Sequence, residues 1–503
     1  MLSQMVKRYV PLAVWIVAIY VILFIPLKII SYGFLPMDDA LRHSAKAVSG
    51  KTWQQILVMR DDFHIDPSPG WQAILSATHH WSWIHDWKGG ETEGLVMFSV
   101  IALMLLLLLC ALPWLRRPEA WLAALFIVSV FAPACTTRFA RGRPYILTDA
   151  VIVTILFLWS RYLSPETAGE TARGDARPTG KKGRAIFIVT PLLIAAAAWI
   201  HGSWYLLCLP GAAILLAGQW RSALAYGACW LGGSFLGSAL TGHPMEFMVQ
   251  SVRHMFGVFG SISVNRQLVP ELHPSSGDIA PVLAVAVMLL WRATSIGWNP
   301  RVLLNPVFML MVAGWVLGLK TQRFWWDFGM IAFIVWIALE LQEHLQRTMP
   351  VDSLKRLFVT LGLAVGVFFG FTSDRDSRWT QNLATSFLSP SESDLAGWLP
   401  DNGGIFYNSD MDFFFQTFYK NPTADWKYVL GFESGLMRPE NLEILRKIQW
   451  NYGDVDAYQP WVKEMRPQDR MIFRAPRGGG PPDIAPLQWH YAGNGIWIGR
   501  LPR

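Results

Sequence analysis

Apolar stretches long enough to cross a bilayer recur along this chain between residues 9 and 372, and nothing else in the sequence limits its fold so severely. The first, 9–31, follows Lys7 and Arg8 and is not succeeded by a small-residue cleavage site. It reads as an uncleaved first span with a cytoplasmic N-terminus. Ten more are expected at about 94–114, 119–135, 145–160, 186–200, 204–218, 222–240, 279–291, 302–319, 324–341 and 356–372. Arg116, Arg161, Arg221, Arg292, Arg347 and Lys355 then fall on the loops this count places inside, as the positive-inside rule requires.

Composition agrees. Charged residues make up only 16% of the 503, where soluble chains carry nearer a quarter. The net charge of +7 is scattered over short loops, which excludes a nucleic-acid footprint. Cys110, Cys135, Cys208 and Cys229 all lie in or beside apolar segments, so neither large polar region holds a disulfide framework or a thiolate metal site.

The expected architecture is an α-helical polytopic membrane protein of about eleven transmembrane helices with a C-terminal α/β soluble domain. The membrane domain is 1–372, with a long external loop at 34–92 and a second at 241–278 that carries Arg253, His254, Arg266 and His273. A polar cytoplasmic linker is expected at 162–185. The extracytoplasmic domain is 373–503, with strands expected at 403–409, 426–432, 470–474 and 495–501. A helix from Pro439 to Tyr452 would present Leu442, Leu445 and Ile448 on one face.

The first external loop concentrates the polar chemistry, holding five of the eleven histidines. Asp38 and Asp39 precede a helix-favouring stretch, so they would sit at its N-terminal end, where the backbone dipole favours carboxylates. Asp39, Arg42, His43 and Lys46 share one helical face by spacing. This arrangement supplies either a general base at the membrane edge or an ordinary solvated helix start. Asp61, Asp62, His64 and Asp66 follow, a mixed oxygen and imidazole set without an EF-hand pattern. A divalent cation such as Mg2+ or Mn2+ is open there, with Asp39, Asp62 and His64 as candidate ligands; turn formation by Asp-Pro and Ser-Pro-Gly is the plainer reading. His79, His80 and His85 alternate with Trp71, Trp81, Trp83 and Trp87, as in a helix lying in the membrane interface.

Basic residues at the outer ends of spans run against the positive-inside rule and need compensation. Arg138, Arg141 and Arg143 form one such group, Lys320 and Arg323 another. A lipid phosphate would compensate them, since guanidinium grips phosphate through two bonds and ammonium acts as a point charge. Pairing with Asp149 or Asp327 would do so equally. His201 also ends a span on this side. Carboxylates and cations of this kind suit displacement at a sugar carbon bearing a lipid phosphate: a carboxylate takes the acceptor's proton, and the cations stabilise the departing phosphate.

On Asp38-Asp39, on His64-Ile65-Asp66-Pro67-Ser68-Pro69 and on Lys320-Thr321-Gln322-Arg323-Phe324, the chain resembles the GT-C superfamily of integral-membrane glycosyltransferases. Gly404-Ile405-Phe406-Tyr407-Asn408 and Lys427-Tyr428-Val429-Leu430-Gly431-Phe432 are also similar to a C-terminal segment of bacterial relatives. The first segment matches the acidic pair after span 1. The second is similar to an Asp/His-x-Pro-Pro-Leu stretch, with Ser68 in place of the first of its two prolines. The third is similar to a His-Lys-Glu-x-Arg-Phe motif, with Leu319 in place of the histidine. The resemblance implies an inverting glycosyltransferase on the outer face of the cytoplasmic membrane, using a polyprenyl-phosphate sugar and a glycan, lipid or protein acceptor. Asp39 or Asp38 would be its base, with Asp66 next. Lys320, Arg323, Arg138, Arg141 and Arg143 would hold donor phosphate, with His43, His64 and His201 in support. Rival readings are a transporter or flippase of lipid-linked glycans, a polysaccharide ligase or acyltransferase, and a non-catalytic protein of polysaccharide assembly.

Overall fold

A computed structural model describes every residue except 1, 164–180, 261–268, 276–278, 296, 384, 386, 452–453, 476–478 and 503. Most of the linker expected at 162–185 lies outside the described residues, as does Arg266 of the second loop.

This is a membrane protein by its helices. Among the described residues five are long and apolar enough to span: Arg8–Ser31, Glu91–Trp114, Tyr145–Tyr162, Gln322–Thr348 and Leu354–Thr372. Two bent pairs, Pro118–Phe131 with Pro133–Phe139 and Trp220–Ala239 with Pro244–Phe256, raise the number to seven if each pair is one span. Among the described residues, five to seven helices of spanning length stand beside the eleven spans expected. Four further segments form apolar helices of only 10–17 residues. Local sequence accounts for the shortening of one. Asn305 caps Pro306–Gly318 by accepting from Val307 N at 2.9 Å, and proline at the first turn fixes the start there.

The chain divides into two compact units. Unit 1 comprises Met1–Phe34, Val100–Met248 and His273–Thr380. In it Leu2–Ser31 packs along Leu354–Thr372, and Lys181–Ile200 along Trp220–Ala239. The second pair approaches closely because Gly233 and Gly237 face the partner backbone. A Cβ at these positions would come within 2.5 Å of Pro191 O and 2.3 Å of Ala195 O. Buried arginines tie other helices. Arg356 donates from Nε (2.6 Å) and Nη2 (2.9 Å) to the two oxygens of Glu119, which also receives Arg117 Nη1 at 3.4 Å.

Unit 2 comprises Leu35–Ser99, Val249–Leu272 and Gln381–Arg503. The first external loop thus folds with the C-terminal segment, whereas the sequence reading assigned it to the membrane domain. The centre is a five-stranded sheet: β1 (Ile405–Tyr407), β2 (Lys427–Tyr428), β3 (Arg470–Arg474), β4 (Gln488–Tyr491) and β5 (Ile496–Arg500), in the order β2-β1-β3-β5-β4. β1 runs parallel to β2 and β3, while β5 pairs antiparallel with β3 and β4. β4 was not anticipated; Trp489 and Tyr491 are its only apolar members. Helix Pro439–Trp450 buries Leu445 and Ile448 against Trp461 and Met471, with Leu442 beside them, as its spacing predicts.

The first loop extends the sheet edge. Leu57 bridges Tyr428 in parallel and Met59 bridges Met437 antiparallel, with Val58 N donating to Tyr428 O and Arg60 N to Leu436 O, each at 2.9 Å. Gly431 makes room, since a Cβ there would meet the Leu57 side chain at 2.7 Å.

Candidate functional site

The helix expected after Asp38 runs over Asp39–Ser49 and ends on Gly50 in the left-handed conformation, as a C-terminal cap requires. Ala40, Leu41 and Ala45 are buried in it, and it packs on helix Met411–Lys420. That packing brings its polar residues inward as well. Arg42 is only 7% exposed in its side chain, and its Nε donates to Asp39 Oδ1 at 2.7 Å. The guanidinium lies 3.9 Å from the Phe432 ring centre and 5.6 Å from that of Trp53. Stacking on aromatic faces lets a buried guanidinium keep its charge. Asp39 remains 29% exposed. It is a held carboxylate with access to solvent.

Asp66 is built differently. Its Oδ2 accepts from Trp53 Nε1 at 2.8 Å and lies 3.3 Å from Lys46 Nζ, while its Oδ1 accepts from Ser68 N at 2.8 Å. Burial raises its pKa, but the Lys46 charge and the Ser68 N–H prevail and hold it below the usual carboxylate value. It ties the starts of helices Trp53–Ile56 and Pro69–Thr78 to helix Asp39–Ser49. His43 is fully buried on that helix, and its ring nitrogens have no hydrogen-bond partner among the described residues. Burial first, then the Arg42 charge, lower its pKa to about 3, so it is neutral at physiological pH.

Asp38 holds the N-cap position without a side-chain cap bond. It contributes to the field around Asp412, whose pKa rises to about 6 through burial, then through Asp410 and Asp38, against the opposing charge of Arg474. Asp410 is fixed by Arg474 Nε at 2.6 Å and caps helix Met411–Lys420.

No three His, Cys, Asp or Glu side chains gather as a metal site among the described residues. Asp39 pairs with Arg42 and Asp62 with Arg60. His64 is exposed, and its backbone N donates to Gln250 Oε1 at 3.1 Å. The spacing 61–66 is a chain reversal whose side chains disperse, since residues one or two apart in a turn point different ways. His79 and His85 both contact Glu91 at the start of the next apolar helix. The exposed Trp81 and Trp83 lie near the Phe98 ring.

Sequence reasoning missed Glu433 and the pairing of His254. His254, on helix Pro244–Gly260, contacts Glu433, one residue beyond the ring that carries Arg42. From the same helix Gln250 Nε2 donates to Ile65 O at 2.7 Å. Three distant segments thus meet in unit 2. Only Arg-Asp spacing on one helix was legible beforehand.

In unit 1 the two cationic groups converge on a single carboxylate. Arg138 Nη2 donates to Asp327 Oδ1, and Arg323 Nε to Asp327 Oδ2 at 3.1 Å. Arg138 sits on the short helix Pro133–Phe139, bent 112° from its predecessor, rather than in the expected tight turn. Its guanidinium lies 4.6 Å from the Tyr145 ring centre, that of Arg143 6.0 Å, and the His201 ring approaches the same tyrosine at 6.4 Å. Asp327 occupies a π-helical turn, Trp325–Gly329, an insertion of the kind found at functional sites. Gly314 and Gly329 pack backbone to backbone there, where a Cβ on Gly314 would fall 2.4 Å from Gly329 N. Lys320 is exposed and Arg141 partly buried. Arg323 is 35% exposed.

Among solved structures, the chain is similar to the Archaeoglobus fulgidus oligosaccharyltransferase, in a crystal structure where that enzyme is tethered by a disulfide bond to an acceptor peptide containing the NVT sequon. The identity is 11% and the TM-score 0.48, with 91% of this chain and 69% of that one covered. No family model and no curated protein matches the sequence.

Proposed function

We propose that this protein is a glycosyltransferase that moves a sugar from a polyprenyl-phosphate donor to a glycan, lipid or protein acceptor at the outer face of the cytoplasmic membrane. The observation that carries the reading is Asp39: an accessible carboxylate, eight residues beyond Ser31 at the end of the first apolar helix, held at one oxygen by a buried arginine. A general base needs that combination of fixed geometry and access. Asp39 takes the proton from the acceptor's hydroxyl or amide as its heteroatom bonds to the anomeric carbon. The bond from that carbon to the phosphate oxygen breaks, and its electron pair leaves with the phosphate.

The departing phosphate gains charge, and Arg323 with Arg138 is suited to receive it. Asp327 accepts from both guanidinium groups and holds them together. Lys320, Arg141 and Arg143 add positive charge, with His201 lending support to the group. Asp38 is the alternative base. Asp66 is better suited to hold the loop that carries Asp39, and His43 to fill the space behind it. A divalent cation such as Mg2+ or Mn2+, with Asp39, Asp62 and His64 as its candidate ligands, is part of the proposal that the chelator arm below tests.

The test is transfer by purified protein in nanodiscs, given a panel of radiolabelled polyprenyl-phosphate sugars with membrane extract as acceptor. Wild type is run beside Asp39→Asn, Asp38→Asn and Arg323→Ala, with and without chelator. The expected result is transfer by wild type, lost in Asp39→Asn with donor binding retained. Donor binding without transfer by wild type would favour a transporter or assembly protein instead.

A further inference from the structure

The Arg42 side chain makes one hydrogen bond among the described residues, from Nε to Asp39 Oδ1 at 2.7 Å, and its Nη1 is buried without a partner there. One bond at Nε leaves the guanidinium plane free to swing about the line from nitrogen to oxygen. Aromatic rings supply what that bond does not. The guanidinium carbon stands over the Phe432 ring, 3.9 Å from its centre, and 5.6 Å from the centre of the Trp53 ring. The two rings lie 4.6 Å apart with their planes inclined by 55°, so they form a corner against which the cation rests. Both are sealed from solvent, at 3% and 4% exposure, and a desolvated ring face attracts a guanidinium more strongly than an exposed one. The corner is itself fixed from two directions. Trp53 Nε1 donates to Asp66 Oδ2 at 2.8 Å, and Lys46, one helical turn beyond Arg42, brings its Nζ to 3.3 Å from the same oxygen. Phe432 is carried by the segment after β2, which Val58 N joins to the first loop by donating to Tyr428 O at 2.9 Å. A ring from the C-terminal segment is thereby set over an arginine of the first loop.

We propose that Phe432, with Trp53 beside it, is a positioning residue: its ring face fixes the Arg42 guanidinium, which through Nε holds the Asp39 carboxylate in its working orientation. The inference rests on the reading of Asp39 as the base. Without the ring face the guanidinium turns about its remaining bond, and the carboxylate oxygen at the other end of that bond moves with it. Misplacement of a reacting group by about 1 Å is enough to slow a reaction about a hundredfold. A ring that only filled the core would be replaced without kinetic consequence by an apolar side chain of like size. Phe432 is held to a stricter requirement, because leucine or methionine fills the space but offers the cation no π face.

The experiment is a double-mutant cycle in the full chain in nanodiscs, using the radiolabelled polyprenyl-phosphate sugar that wild type transfers, with steady-state kinetics and melting temperature measured together. The variants are Phe432→Leu, Phe432→Met, Phe432→Tyr, Arg42→Gln, and Phe432→Leu combined with Arg42→Gln. Phe432→Leu is expected to lower kcat about ten- to hundredfold with donor KM unchanged. Phe432→Tyr, which keeps the ring face, should restore most of that loss. Once Arg42→Gln is present, Phe432→Leu should cost nothing further. Should Phe432→Leu melt early, Phe432→Met in the same cycle carries the decision. Undiminished kcat in the folded Leu or Met variant, no recovery in Phe432→Tyr, or a penalty that simply adds to that of Arg42→Gln overturns the proposal while the glycosyltransferase reading stands. Wild type that transfers no sugar overturns that reading, and the proposal falls with it.

Discussion

Among the described residues of unit 1, Glu119 and Asp327 each sit between two arginines, and they are built to different ends. Glu119 is wholly buried, its partners Arg356 and Arg117 are 2% and 4% exposed, and Arg356 also donates from Nη1 to Val351 O at 3.0 Å. Asp327 is almost as buried, but its partner Arg323 is 35% exposed. The first fork is closed, its charge spent on tying helix Pro118–Phe131 to Leu354–Thr372. The second presents a guanidinium edge to its surroundings. An arginine pair on one carboxylate is therefore closed off in one place and partly exposed in the other.

The largest effect is expected at the closed fork. Arg356→Ala strands Glu119 without its main partner and should cost about 3–5 kcal/mol of stability, read from unfolding in detergent, with donor affinity unchanged in whatever protein remains folded. Arg323→Ala should do the reverse: a stability change below about 1 kcal/mol, and donor affinity weakened about ten- to hundredfold, measured by binding of a labelled polyprenyl-phosphate sugar. Equal effects of the two substitutions on stability would erase the distinction between the closed fork and the exposed one.

Unit 2 repeats the contrast with Asp66 and Asp39. Asp66→Asn should cost about 1–3 kcal/mol at neutral pH, since Lys46 loses its counter-charge. The pKa of Asp66 is depressed in the folded state below the ordinary 3.8. Its stabilisation is therefore present in full above that ordinary value, and it is lost as pH falls through the folded pKa. Wild type and variant should differ in melting temperature at pH 7 and converge on acidification. The smallest effect is expected from Asp412→Asn. Because its folded pKa is raised to about 6, ionisation disfavours folding as pH rises from 3.8 towards 6. The variant should melt slightly higher than wild type at pH 7 and equally at pH 3.

Much of this was written in local sequence. Apolar runs located the helices, and spacing placed Asp39 and Arg42 on one face. The periodicity of 439–450 gave the buried side of that helix, and Arg138 and Arg323 stood out as cations in need of an anion. What local sequence lacked was convergence. Nothing about Glu433 or His254 distinguishes them from surface residues until the sheet carries residues 427–437 to the first loop. Nor does spacing reveal that Arg138 and Arg323, 185 positions apart, share Asp327. Within 61–66 the partners differ, since Asp62 pairs with Arg60 while Asp66 accepts from Trp53 and from Ser68 N. A hydropathy pattern likewise does not register where Pro133 or Pro306 starts a helix.

The most direct measurement is single-turnover transfer by protein preloaded with a polyprenyl-phosphate sugar and quenched at intervals after acceptor is added. Asp39→Asn should bind the donor as wild type does and transfer it about 10²–10⁴-fold more slowly. Transfer by Asp39→Asn at the wild-type rate would contradict the account, because the carboxylate on which it depends would then have no part in moving the proton.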